Sequence, residues 1–125
     1  MSNPSDRRYS ATHEWFLAED DIVTVGITQH AADELTDITY VELPAIGTLV
    51  DSGGSIGEVE SVKATSELFT AVGGEIVEVN TDLEDRPELI NDDPFETGWI
   101  VKIKATSLAG LEELMDAGAY ESAIS

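Results

Sequence analysis

Short runs of β-branched residues, separated by glycines and acidic turns, constrain the fold of this chain more than any other feature of its sequence. The runs are five or six residues long, which is typical of strands. They lie at residues 22–27, 39–43, 58–62, 75–79 and 99–104. Chains with many short strands and glycine-marked turns bury their strands in a small β-sandwich or barrel. We therefore predict a mainly β fold.

Two helices accompany the predicted strands. Thr28 is placed to cap a short internal helix over residues 29–35. Ser107 is placed to cap a C-terminal helix, whose apolar stripe consists of Leu111, Leu114 and Met115. The polar residues 1–8 predict a flexible N-terminus. No linker-like change of composition divides the rest, so we predict a single domain over residues 1–125.

The charge balance restricts the partners and the surroundings of the chain. There are 26 acidic residues against 6 basic ones, for a formal net charge of −20. Nucleic acid and anionic membrane surfaces would repel such a protein, so we expect neither as a partner. Acidic residues are spread along the sequence, and their mutual repulsion is reduced by salt. We predict a cytoplasmic protein of a halophilic organism, with an ordinary acidic protein as the alternative.

The sequence lacks the usual signatures of catalysis. It contains no cysteine and no GxxxxGK[ST] motif. Its two histidines, His13 and His30, are not spaced as in HExxH, so we predict no metal site. A carrier or binding protein is therefore favoured over an enzyme.

Lys63 is the chemically distinctive residue. It is one of three lysines, and it follows a predicted strand at a tight hairpin connection. A lysine amine can be acylated, whereas an arginine guanidinium stays protonated. Group carriers such as lipoamide and biotin need an amine on an exposed projection. Lys63 is thus either an attachment site or an ordinary solvated lysine.

The sequence around Lys63 resembles the lipoylation segment of the glycine cleavage H-protein family. That segment is Glu-Ser-Val-Lys-Ala-Thr-Ser-Glu-Leu at residues 60–68. Further matches follow in order along the chain: His-Glu-Trp at 13–15, Val-Gly-Ile-Thr at 25–28, Tyr-Val-Glu-Leu-Pro at 40–44 and Gly-Glu-Ile-Val-Glu-Val-Asn at 74–80. The resemblance extends from about residue 9 to residue 120.

The resemblance implies a barrel-sandwich hybrid of antiparallel strands, with a short internal helix and a C-terminal helix. It implies lipoate bound covalently to Lys63 at a hairpin turn. A loaded arm is cationic, so an acidic cleft would favour it. Glu14 is the expected anion of this cleft, with Thr12 and Glu67 as neighbours. His30 is a further cleft residue that could hydrogen-bond there, although a structural role is the alternative.

The implied role is a non-catalytic carrier of the aminomethyl group of glycine. The expected partners are glycine decarboxylase, aminomethyltransferase, dihydrolipoyl dehydrogenase and a lipoate-attaching enzyme, and we expect the carrier to be a monomer. Three alternatives use the same lysine: a protein that relays lipoyl groups to other complexes, a lipoyl domain of a 2-oxoacid dehydrogenase, and a biotinyl domain of a carboxylase. An unmodified interaction module is the fourth.

Overall fold

The computed structural model describes residues 3–124. Over this range the strands are β1 (Arg8–Tyr9), β2 (Glu14–Glu19), β3 (Ile22–Ile27), β4 (Ile38–Glu42), β5 (Leu49–Val50), β6 (Ser55–Ser61), β7 (Thr65–Phe69), β8 (Gly74–Val79) and β9 (Val101–Ala105). The helices are α1 (Gln29–Leu35), α2 (Asp82–Asp85), α3 (Leu89–Asp92), α4 (Ala109–Glu112) and α5 (Ala117–Ile124). None of these helices is both long and apolar enough to cross a bilayer.

Two antiparallel sheets enclose the main hydrophobic core. One sheet has the strand order β1-β2-β3-β9-β8-β5, and the other has the order β4-β6-β7. The core includes Val25 and Ile103 from the first sheet, and Val41, Val59 and Leu68 from the second. Burying a side chain of this kind contributes roughly 1.5–3 kcal/mol, so packing between the sheets is a main source of stability. The prediction of a mainly β, antiparallel fold is confirmed.

Local signals located β3 and α1 correctly. Both elements have the bounds that the sequence predicts. Thr28 caps α1 as expected, because its backbone is extended (φ −77°, ψ 164°) and its Oγ1 accepts a hydrogen bond from the Ala31 amide at 3.2 Å. The predicted strand 99–104 begins two residues later, since the amide of Trp99 bonds to Glu96 in a turn.

The predicted C-terminal helical region is divided into α4 and α5. Between them, the backbone of Met115 pairs with that of Tyr9 through hydrogen bonds of 2.8 and 3.0 Å. A backbone group that pairs with a strand cannot also continue a helix, so the tertiary contact interrupts the helical pattern. Ser107 Oγ accepts a bond from the Ala109 amide at 3.1 Å, although Leu108 occupies the cap position of α4.

The flexibility of residues 1–8 stays a prediction, and the structure describes contacts near the end of that segment. Residues 1 and 2 lie outside the described part of the chain. The side chain of Arg7 is buried, donates to the Phe95 carbonyl at 3.0 Å and places its guanidinium 4.6 Å from the centre of a Trp15 ring. A cation over an aromatic face is attractive, so this contact links the residue before β1 to β2.

Candidate prosthetic-group site

The turn between β6 and β7 presents Lys63 at its tip. The Ser61 amide donates to the Ala64 carbonyl at 2.8 Å and closes the turn. The Ser61 hydroxyl oxygen accepts bonds from the amides of Lys63 and Ala64 at 3.1 and 3.0 Å. A serine that bonds the amides following it stabilises a tight turn. The Ser-Val-Lys-Ala sequence therefore forms a fixed projection with the lysine at its end.

The hairpin tip rests against the C-terminal end of α1. Lys63 is exposed, and its Nζ donates to the backbone carbonyl of Glu34 at 3.2 Å. The Val62 amide donates to the Asp37 carbonyl at 3.1 Å, although the Val62 side chain is 69% exposed. A cation near the unpaired carbonyls at a helix end is favourable. The amine is thus accessible while the backbone on both sides of it is held.

Glu14 is buried and occupied by protein donors. Only 1% of the residue is exposed. Its carboxylate accepts hydrogen bonds from the hydroxyls of Ser10 and Thr12 and, at 3.1 Å, from the Phe69 amide. Three donors compensate for much of the cost of burying the charge. Thr12 is thus a neighbour of Glu14, and Glu14 joins the loop before β2 to the end of β7.

Glu67 belongs to a row of carboxylates on the three-stranded sheet. It is an exposed residue of β7, and no hydrogen bond or ion pair between described residues joins it to Glu14. Its cross-strand neighbour is Glu58 on β6, whose neighbour on β4 is Glu42. Side chains in directly paired positions point to the same face of a sheet. We call this row of three carboxylates, Glu42, Glu58 and Glu67, the acidic ladder.

His30 lies in the first turn of α1, one turn before Glu34, whose carbonyl Lys63 contacts. Its Nε2 is 3.2 Å from Glu34 Oε1, and its ring centre is 4.8 Å from that of His13. His13 Nδ1 is 2.7 Å from the Tyr120 hydroxyl, which is 2.8 Å from Thr28 Oγ1. Burial, with a smaller contribution from His30, lowers the pKa of His13. A connected set of polar groups thus runs from the hairpin tip along α1 to the loop before β2.

Sequence reasoning missed three members of this set. Glu34 could have been found from its spacing of four residues from His30 on a predicted helix. The HExxH spacing relates only histidines that are four residues apart, whereas His13 meets His30 from a separate loop. Tyr120 gave no local signal, because it reaches the site through the packing of α5 against Tyr9 at a ring distance of 4.9 Å.

The contacts of Trp15 fix the position of the His-Glu-Trp segment, residues 13–15. Trp15 Nε1 donates to the Pro94 carbonyl at 3.0 Å, and the indole lies over Gly26 on the neighbouring strand. A Cβ atom at Gly26 would be 2.6 Å from the indole ring, so only glycine leaves room for it. This packing fixes the strand that carries Glu14 and follows His13.

Comparisons with known proteins agree along the whole chain. The family model described as Glycine cleavage H-protein matches residues 7–125. The glycine cleavage system H protein of a Thermus thermophilus strain is 50% identical over 124 residues, which is 99% of this chain and 97% of the relative. That of Alteromonas mediterranea is 52% identical over 126 residues, covering 99% and 98% respectively. A crystal structure of the H protein from Mycobacterium marinum superimposes with a TM-score of 0.89 at 40% identity, over 96% of this chain and 97% of the other. This chain therefore belongs to the glycine cleavage H-protein family.

Proposed function

We propose that Lys63 is the residue through which this chain carries lipoate for the glycine cleavage system. The carrier role belongs to the family, and the chain is a non-catalytic subunit that works with the other components of that system. The observation that supports Lys63 is its position: an exposed amine at the tip of a hairpin whose backbone Ser61 holds.

The residues around Lys63 fit a covalently attached arm. The side chain is exposed, so an attaching enzyme can reach the amine without unfolding the hairpin. The contact that Nζ makes with the Glu34 carbonyl is a single bond on the surface, and attachment only has to displace it. Bound lipoate supplies a disulfide that accepts the aminomethyl group of glycine together with reducing equivalents. The acidic surroundings favour the cationic, loaded form of the arm.

Glu14, Thr12 and His30 remain our proposed cleft residues. Glu14 supplies a buried negative charge, and the hydroxyl of Thr12 already bonds to it. Lys63 is linked to this region through Glu34 and His30. Glu67 is the weakest of the proposed set, since it belongs to the acidic ladder. We expect Thr12→Val to leave attachment unchanged and to shorten the lifetime of the loaded arm.

The finer assignments follow from the carrier role. We propose docking partners of four kinds: glycine decarboxylase, aminomethyltransferase, dihydrolipoyl dehydrogenase and a lipoate-attaching enzyme. The carrier would be a cytoplasmic monomer with a single domain. At the salt concentration of a halophilic cytoplasm, the Debye length falls to about 3 Å, so docking would depend on shape and apolar contact.

The test is attachment to purified protein. Wild type, Lys63→Arg and a matched control, Lys104→Arg, are incubated with lipoate, ATP and a lipoate-attaching enzyme, and intact mass is measured. Wild type and Lys104→Arg should gain one lipoyl group, whereas Lys63→Arg should gain none and should not support glycine–bicarbonate exchange. A modified Lys63→Arg protein would refute the assignment of this residue. Attachment without exchange would instead point to a lipoyl relay or to another multienzyme complex.

A further inference from the structure

The loop before β2 and the helix α1 bring two imidazoles and a carboxylate together. His13 contributes from the loop, and His30 and Glu34 contribute from successive turns of the helix. One potential ligand atom from each residue lies within 4.8 Å of the other two. All three residues are at least partly exposed, so an ion could enter from solvent. Two imidazole nitrogens and one carboxylate oxygen form a ligand set that Zn²⁺ accepts.

Contacts at Nδ1 fix the orientation of the His13 ring. Its Nδ1 lies 2.7 Å from the Tyr120 hydroxyl, which also contacts Thr28 at the start of α1. When Nδ1 carries the proton and donates it to Tyr120, Nε2 keeps a lone pair for a metal. Metal-bound histidines typically donate their other ring N–H to such a partner. His13 also has a left-handed backbone (φ 72°), which aims the side chain and is uncommon outside glycine.

We propose that His13, His30 and Glu34 bind a divalent transition metal ion of the Zn²⁺ class. Three protein ligands leave at least one coordination position open to solvent. The field of a chain with net charge −20 attracts cations to the site. The site shares His30 with the proposed cleft, but none of its ligands is Lys63, so metal binding does not require an attached lipoyl group.

Only small movements are needed to close the site. In a tetrahedral Zn²⁺ complex with bonds of about 2.0–2.1 Å, ligand atoms lie roughly 3.4 Å apart. His30 Nε2 and Glu34 Oε1 are already 3.2 Å apart. No two of the three ligand atoms are more than 4.8 Å apart, so closing the site requires a movement of at most about 1.4 Å. The Glu34 side chain is 64% exposed, so it can rotate as the site closes.

Calorimetric titration of the unmodified protein with Zn²⁺ tests the proposal. The protein is prepared without a polyhistidine tag and treated with a chelator, which is then removed. We expect one equivalent to bind, with ring-proton shifts of both histidines by NMR. His30→Ala and His13→Asn should each lose affinity by at least about tenfold; asparagine is chosen because it tolerates the left-handed backbone.

Matched variants separate a built site from general attraction to an acidic surface. Glu34→Gln should weaken binding, whereas Glu84→Gln removes the same charge from an exposed position on α2 and should leave it unchanged. Tyr120→Phe should weaken binding roughly 10-fold, by freeing the His13 ring. Circular dichroism shows whether each variant is folded. Absence of binding to the folded wild type, or equal binding by folded His30→Ala, would overturn the proposal.

Discussion

Replacing Glu58 by glutamine should stabilise the folded protein at low ionic strength. Glu58 is the middle carboxylate of the acidic ladder, opposite Glu42 on one side and Glu67 on the other. Like charges in directly opposed positions of a sheet are destabilising. The substitution keeps the shape of the side chain and removes both repulsions.

The expected size of the effect follows from the spacing. Paired Cβ atoms lie about 5 Å apart, and the exposed carboxylates can splay to roughly 7 Å. At that distance in water, each repulsion is about 0.6 kcal/mol, or about 1.2 kcal/mol for the two neighbours. At about 0.01 M salt the Debye length is about 30 Å and roughly 1 kcal/mol remains; at about 1 M it is about 3 Å and only about 0.1 kcal/mol remains.

Chemical unfolding of wild type, Glu58→Gln and a control, at about 0.01 M and about 1 M salt, measures how the gain in the free energy of unfolding depends on salt. The control is Glu60→Gln, two residues along β6, because Glu60 has Tyr40 and Thr65 as its cross-strand neighbours. Both variants remove one charge from the same strand. The difference between their free energies of unfolding therefore measures the repulsion within the acidic ladder. If Glu58→Gln is no more stabilising than Glu60→Gln at low salt, or if their difference persists at about 1 M, the reasoning is wrong.

Two further predictions concern buried side chains. Gly26→Ala should lower the free energy of unfolding by about 1–3 kcal/mol in urea titrations, because the new methyl group would overlap the Trp15 indole, 2.6 Å away; an unchanged midpoint would contradict this packing. Burial raises the pKa values of Tyr9 and Tyr120 above 10.0 in the folded protein. The folded form holds these two phenol protons to higher pH than the unfolded form does. Their contribution to the free energy of unfolding is therefore complete below about pH 10 and is lost as the pH rises further. Unfolding between about pH 9 and 11 should show this loss, with a shallower slope for Tyr9→Phe; equal slopes would exclude Tyr9 as its source.

The main elements of the fold could be predicted because their signals are local. The β-branched run at Ile22–Ile27 and the Thr28 cap of Gln29–Leu35 act within a few residues, and both elements have the predicted bounds. The strand Thr65–Phe69 was not predicted, since its polar composition gives no strand pattern and its place depends on pairing with β6. The division of the C-terminal helix depends on Tyr9, which is distant in sequence and pairs with Met115.

The sequence by itself determined the family, α1 and the strands β3, β4, β6, β8 and β9, because each depends on neighbouring residues or on a linear motif. Only the tertiary structure decided that Glu14 is buried under three donors and that Glu67 stands in one row with Glu42 and Glu58. It alone brings His13 to His30 and Glu34. These contacts depend on strand register and on how a helix packs against a loop, and neither is encoded in the spacing of a single segment.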